Sequence, residues 1–488
     1  MKKIIRNSSL LLLGIMLVFV SACSKKDVLE EGEKPELRQL GFQRNFDPND
    51  DPVAKLLEEE TGYKVNYEVL PMENYDDKLN IMMGNKEEID IVKMSPSQYR
   101  KLAAEGALEP LDDLLAEYGQ TLLEVNDEES WESAKIDGKI YGIPERAPRP
   151  FVGEAIAVRK DILDEVGMDV PTTLDELYDL LVALKEKTDM IPMTGYQPFV
   201  QSISGAFGFN ALWADVDGEI VPRVEREGLG EYIEFMQKLY AEGLIDSEWP
   251  VNDHAIARDK FGSGKAAVLS SYGWGVSTVL VPTIEEEFDT TIELIMGLEG
   301  EGGQKGAWVE ATGVSWYIGI PKASKNKEHA MTYMNMKVQP ELFQKFTIGE
   351  EGVHWEYDEE KRRVPIMPAF NDEKNNSDWF LTSTDQNVYG DYWILRTRKD
   401  PNMGEAFDQM LTQVEYGESE ATVFAPPLES EAKYGQRLNT MLDDYIINAI
   451  ADPSSVDPLD TFIKKWNDEG GAEMKQEVND WYKSYKSN

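Results

Sequence analysis

The sequence predicts an α/β fold that ends in a helical carboxy-terminal third, and three observations carry the prediction. From residue 37 onward, apolar runs of strand length alternate with amphipathic runs of helix length. Residues 428–485 hold three helical patterns in succession. The 488-residue chain is also 41% hydrophobic, with 11 Trp, 21 Tyr and 17 Phe. At roughly 100–200 residues per unit, that is enough apolar material for two to four packed cores.

The elements follow in order. Leu37–Phe42 reads as a strand, Pro52–Thr61 as a helix, Tyr63–Val69 as an alternating strand and Tyr75–Met83 as a helix. Ile89–Met94 is apolar enough for a buried strand, and Ser97–Ala104 for the next helix. Strands separated by helices of this length pair in parallel through right-handed crossovers. Gly62 fits the left-handed position that stops a helix before a strand. Asp137-Gly138 and Asp217-Gly218 have the composition of hairpin turns. Pro171-Thr172-Thr173 starts a helix running to about Lys187, with Thr172 as its cap and Glu176 in its first turn. Asn371–Asp378 (NDEKNNSD) is expected to be a polar surface loop. The last three helices, Leu428–Ile450, Pro458–Asn467 and Ala472–Tyr485, suggest a second lobe covered by helices.

The amino terminus is an export signal in composition. Lys2, Lys3 and Arg6 precede an apolar run, Leu10 to Val20. Eleven residues are too few for a membrane span of about 20 but fit the core of a signal peptide. The run ends in Val20-Ser21-Ala22-Cys23, which resembles a bacterial lipobox, and Cys23 is the chain's one cysteine. Residues 1–22 are then a signal peptide and 23–35 a lipidated tether; an ordinary signal peptide with a chance cysteine is the plainer alternative. One thiol excludes an intramolecular disulfide and a Cys-rich zinc site. The histidines, His254, His329 and His354, are widely spaced. With 91 acidic and 49 basic residues the formal net charge is −42. Such a chain lacks the basic surface that displaces counterions from nucleic acid, and it does not dock electrostatically on anionic lipid.

Five segments, in order along the chain, resemble one family. They are Asp77–Leu115 (DKLNIMMGNKEEIDIVKMSPSQYRKLAAEGALEPLDDLL), Ala157–Lys185 with its Arg159-Lys160-Asp161 and Pro-Thr-Thr elements, Pro321–Pro340, Gly349–Glu356 and Asp457–Tyr482. Together they are similar to the family 1 extracellular solute-binding proteins, and most of all to the lipoprotein branch serving carbohydrate ABC importers of Gram-positive bacteria, such as alginate-oligosaccharide binders. The resemblance implies a two-lobed periplasmic-binding-protein-like fold with discontinuous lobes. Residues 36–150 and 321–400 would form lobe 1, and 151–320 and 401–488 lobe 2. It implies an oligosaccharide ligand held between the lobes, ABC permease subunits as partners, a lipid anchor in the membrane and a monomer, with no cofactor. Many relatives carry a calcium loop after the Pro-Thr-Thr helix. Here the interval Lys185–Pro192 lacks the 6–8 alternating oxygen ligands of such a site, so no metal is expected there. Asp215 and Asp217 beside Gly218 read as a turn.

Sugars are recognised by aromatic faces that stack on C–H-rich pyranose faces, and by planar charged or amide groups that bind hydroxyls and uronates. The candidates are Tyr272 and Trp274 in SSYGWG, Trp308 and Glu310 in GAWVEATG, Trp316, Trp393 in YGDYW with Arg396 after it, and Arg146 and Arg149 in ERAPRPF. Core packing is the commoner fate of any one aromatic. For Trp274 and Trp393 the cleft reading leads, because the neighbouring glycines are poor core material. The arginines divide between cleft contacts and surface ion pairs. Phe261–Ala266 echoes a phosphate loop, but Asp259 and Ala266 stand where it needs glycine and a hydroxyl. Gly313–Tyr317 lacks the last glycine of a nucleophile elbow. Paired carboxylates carry no signal at this acidity. A binding protein is therefore expected, not an enzyme. A cell-surface polysaccharide lyase or hydrolase and a peptide-binding lipoprotein are the alternatives.

Overall fold

The computed structural model describes residues 34–71, 75–148, 151–309, 313–425 and 428–487. Among these, nine strands build the two largest sheets: β1 (Leu37–Phe42), β2 (Val65–Leu70), β3 (Ile91–Met94), β4 (Gly142–Arg146), β5 (Glu154–Arg159), β6 (Ile191–Thr194), β7 (Ala266–Gly273), β8 (Ile292–Ile295) and β9 (Val314–Gly319). The first sheet has the order β2–β1–β3–β9–β4 and the second β8–β5–β7–β6.

The first sheet begins as the alternation predicts. β1 lies parallel to both β2 and β3, with Gln39 opposite Tyr67 on one side and Ile91 on the other. β3 is buried along its whole length because it is central and covered on both faces. Gly62 has φ +67°, and its amide donates to Glu58 O at 2.8 Å, closing the helix Pro52–Thr61. The two Asp-Gly pairs form hairpins with positive φ at both turn residues, 50° and 77° at Asp137-Gly138, 55° and 89° at Asp217-Gly218. Beyond these strands the pairing is mixed. β9 runs antiparallel to β3 and β4, and in the second sheet β7 is antiparallel to β5 and parallel to β6.

Hydrophobic cores flank each sheet. Under the first sheet, Leu40, Ile91 and Val92 pack with Leu79, Leu102 and the helix bearing Met331 and Met334. Beside it an aromatic cluster joins Leu57 and Tyr67 to Phe343, Trp379, Phe380 and Tyr392. The second sheet's Ile156 and Val268 are covered by Leu177, Leu181 and the carboxy-terminal helices through Leu438, Ile446 and Trp466. Those helices, Glu429–Ala451, Leu459–Trp466 and Ala472–Ser487, match the helical carboxy terminus that the sequence predicts.

The chain crosses between the sheets after β4, before β9 and between the helices Tyr389–Thr397 and Pro401–Leu411. The first two crossings lie side by side: the Ala147 amide donates to Gly313 O at 3.0 Å, and Val152 bridges Val309. β9 belongs to the first sheet, whereas the sequence-based division places residues up to 320 with the second lobe. Its hydrogen-bonding partners, which composition does not reveal, decide its sheet.

Two local expectations are corrected. The cap of the helix Leu174–Lys187 is Thr173, whose hydroxyl accepts from the Glu176 amide at 3.1 Å. Thr172 instead donates to the Glu176 carboxylate at 2.8 Å. Residues 371–378 are not a solvated loop either. They span the helix Ala369–Lys374 and the start of the 3-10 turn Ser377–Phe380, with Lys374 and Ser377 buried.

Candidate ligand cleft

Two cavities of similar volume compete for the site. One, about 590 Å³, lies on the first lobe between Gly84, Gly106 and Pro321. These residues adjoin the amino-terminal end of β3 and the carboxyl end of antiparallel β9, the end of an open sheet where ligands rarely bind. The other, about 570 Å³, opens beyond the carboxyl ends of β1 and β7 and draws its walls from both lobes. That position obeys the rule for ligand sites in open α/β sheets.

Each wall follows from local structure. After β1 the chain leaves the sheet and presents Arg44, Asn45 and Phe46. On the second lobe, β7 ends at Gly273, and Trp274 opens the short turn that follows. One edge of the Trp274 ring is held by Phe407, centroids 5.3 Å apart at 86°, and Phe151 approaches at 6.3 Å. The rest of the indole is partly exposed. The helix Tyr389–Thr397 contributes Trp393 and Arg396, and Lys399 follows it. The Trp393 indole N–H is buried and has no partner among the described residues.

The third wall is the 375–378 segment, and Arg396 holds it in place. One guanidinium nitrogen donates to Lys374 O (3.0 Å) and Ser377 Oγ (2.6 Å), another to Asn375 O (2.8 Å) and Asp378 Oδ1 (3.0 Å). Arg44 pairs with the other Asp378 oxygen at 2.8 Å. Burial pushes the Asp378 carboxyl up, but Arg396 and Arg44 outweigh it and hold the group below the usual range. Lys399 donates to Asn375 Oδ1 at 2.9 Å. Burial, and then the like charge of Arg396, depress its ammonium.

Of the residues singled out in the sequence, Trp274, Trp393 and Arg396 meet in this cleft. Tyr272 does not: it is 1% exposed and packs in the second lobe's core with Ala257, Phe261 and Leu280. In an extended strand, residues two apart share a face, but the strand ends at Gly273 and Trp274 turns away. Trp308 sits in a two-residue strand beside Gly417-Glu418 and is not among the cleft-lining residues. Trp316 stacks on Phe42 at 4.7 Å, with the Lys93 ammonium 5.6 Å from its ring; Lys93 pairs with buried Glu145. Arg146 pairs with Asp127 and lies 5.1 Å over the Phe424 ring, an interlobe contact outside the cleft. Cys23, Arg149 and Glu310 lie outside the described residues.

Sequence reasoning missed Arg44, Phe46, the 375–378 wall and Lys399. Arg44 and Phe46 carried a usable signal, since they follow the first parallel strand at its carboxyl end. The 375–378 wall carried none, because its polar composition is that of any exposed loop.

Two mixed sheets, crossing segments between them and a cleft at their carboxyl ends define a two-lobed binding protein. A family model described as bacterial extracellular solute-binding protein matches residues 45–341. The chain belongs to that family, as the five segments imply. It is 24% identical over 467 residues to Lipoprotein LipO of Bacillus subtilis (strain 168), covering 89% of each chain. It is 23% identical over 478 residues to the polygalacturonan/rhamnogalacturonan-binding protein YtcQ of the same organism, over 93% of this chain and 92% of that one. The fold matches the Streptococcus pneumoniae ABC-transporter substrate binding protein FusA, solved in complex with kestose, with a TM-score of 0.68 at 19% identity over 93% of this chain and 99% of that one.

Proposed function

We propose that the protein captures an oligosaccharide in the interlobe cleft and delivers it to the permease subunits of an ABC importer. Exported through its signal peptide, it is held at the outer face of the cell membrane by acyl chains on Cys23. The observation that carries the reading is a cleft of about 570 Å³ with Trp274 on one lobe and Trp393 and Arg44 on the other. An indole face suits a pyranose ring, and charged forks and amides suit its hydroxyls. The saccharide-binding names of YtcQ and FusA support the same class of ligand. The protein acts as a monomer. It acts as a binder: the described lining residues include no histidine or tyrosine and a single carboxylate, Asp378.

The test is calorimetric titration with a panel of plant and host oligosaccharides and of peptides, followed by chromatography of the recovered ligand. Intact recovery of a bound saccharide is the expected result. Binding of peptides alone, or recovery of cleaved sugar, overturns the proposal.

A further inference from the structure

We infer that the ligand is an acidic saccharide and that Arg44 and Lys399 seat its carboxylate. The inference rests on the proposed oligosaccharide function and adds the charge of the sugar. The cleft lining carries three cations, Arg44, Arg396 and Lys399, against one carboxylate, Asp378. That balance opposes the chain's own, 91 acidic against 49 basic residues. A random sample of this surface would line a cleft with acids. Salt screens charges beyond about 10 Å, so the lining outweighs remote acids inside the cleft.

Asp378, shared between Arg396 at 3.0 Å and Arg44 at 2.8 Å, offsets one of the three positive charges and leaves two. Arg396 donates from both terminal nitrogens to the 374–378 segment and acts as a positioning residue. Arg44 meets Asp378 through Nη2 while its side chain remains 39% exposed. A guanidinium has five N–H donors, so it can serve Asp378 and a second carboxylate. Lys399 donates to the neutral Asn375 side chain at 2.9 Å. Burial and the neighbouring Arg396 lower its pKa, and an incoming carboxylate opposes that shift by favouring the charged ammonium. A uronate sugar supplies what these groups ask for: a planar anion for the cations and a C–H face for Trp274.

The experiment titrates the purified protein with trimers of galacturonate, glucuronate and mannuronate, and with the same trimers after reduction of their carboxyls to alcohols. At least one acid form should bind at least tenfold more tightly than its reduced form. Arg44→Gln and Lys399→Gln should each cut that ratio about tenfold, while affinity for the reduced trimer changes less than threefold. Thermal melts of both variants identify a folding defect; if Arg44→Gln, which loses the Asp378 pair, fails to fold, Lys399→Gln decides alone. Reduced trimers that bind as tightly as the acids, or a ratio unmoved in the folded variants, overturn the inference. Binding of neutral saccharides alone overturns it and leaves the proposed function standing, whereas binding of no saccharide overturns both.

Discussion

Trp274 and Tyr272 stand two residues apart and answer to different energies. Trp274 keeps part of its ring in the cleft, so Trp274→Ala should weaken saccharide binding by about 1–3 kcal/mol, the range for rings stacked on aromatic side chains. Its edge contact with Phe407 adds a smaller stability loss, about 1 kcal/mol. Tyr272→Ala should invert the pattern. It empties a core site and costs about 3–5 kcal/mol of stability, while the affinity of the molecules that remain folded is unchanged. Calorimetry and denaturant melts on both variants check the pair; a Trp274→Ala protein that melts early yet binds normally would make Trp274 a core residue. Lys337 is the other telling residue. It is buried, donates to Phe380 O and lies 5.1 Å from the Tyr333 ring. Burial, then the like charge of Lys93, lower its pKa from 10.5 to about 7, and Glu145 only partly opposes this. Between pH 7 and 10.5 the unfolded chain therefore holds a proton that the native state lacks. Stability should rise with pH across that window by up to roughly 1.4 kcal/mol per unit from this group. Lys337→Met removes the slope, so it should gain on the parent most near pH 6–7 and least near pH 10. A stability difference that stays constant with pH would count against this account.

At the scale of elements, caps and ties matter more than propensity. The helix Leu174–Lys187 has five buried leucines on one face, yet its start is fixed by a single hydroxyl at Thr173. Thr173→Ala should cost about 1 kcal/mol in a urea melt, and Thr172→Ala only a few tenths, since Thr172 makes an exposed bond to a side chain. Equal losses would restore Thr172 as the cap. The 375–378 segment shows the same logic: four bonds from Arg396 turn a polar stretch into a wall of the cleft. A segment of this composition is legible as polar, but its burial comes from a helix that follows it in sequence. A further tight point is Gly205, where an added Cβ would stand 2.1 Å from Gly306 O, so two backbone segments approach there as only glycine permits.

At the scale of the whole molecule, the two lobes touch through the side-by-side crossings and through contacts such as Arg100 Nη2 to Ala425 O at 2.8 Å. A ligand that touches Trp274 on one lobe and Arg44 on the other binds a closed arrangement better than an open one. It shifts the population by that difference in affinity. The radius of gyration in solution scattering should therefore fall on saturation. A profile that does not change with a confirmed ligand would place the contacts on one lobe. The high net negative charge acts at this scale too: it slows approach of an anionic sugar at low salt.

The sequence by itself determined the run of elements from Leu37 to Ala104, the helical carboxy terminus and the family, because these rest on periodicity and on short patterns between neighbours in the chain. It also singled out Trp274, Trp393 and Arg396, which line the cleft. Only the tertiary structure decided that β9 joins the first sheet, that Tyr272 is core while Trp274 is not, and that Arg44 and Arg396 share one carboxylate with Lys399 on the same cleft wall. Those outcomes depend on which distant segment supplies the hydrogen-bonding or ion-pairing partner. Asp378 and Arg44 are more than 300 residues apart, and no local pattern records a pairing that the closing of the fold creates.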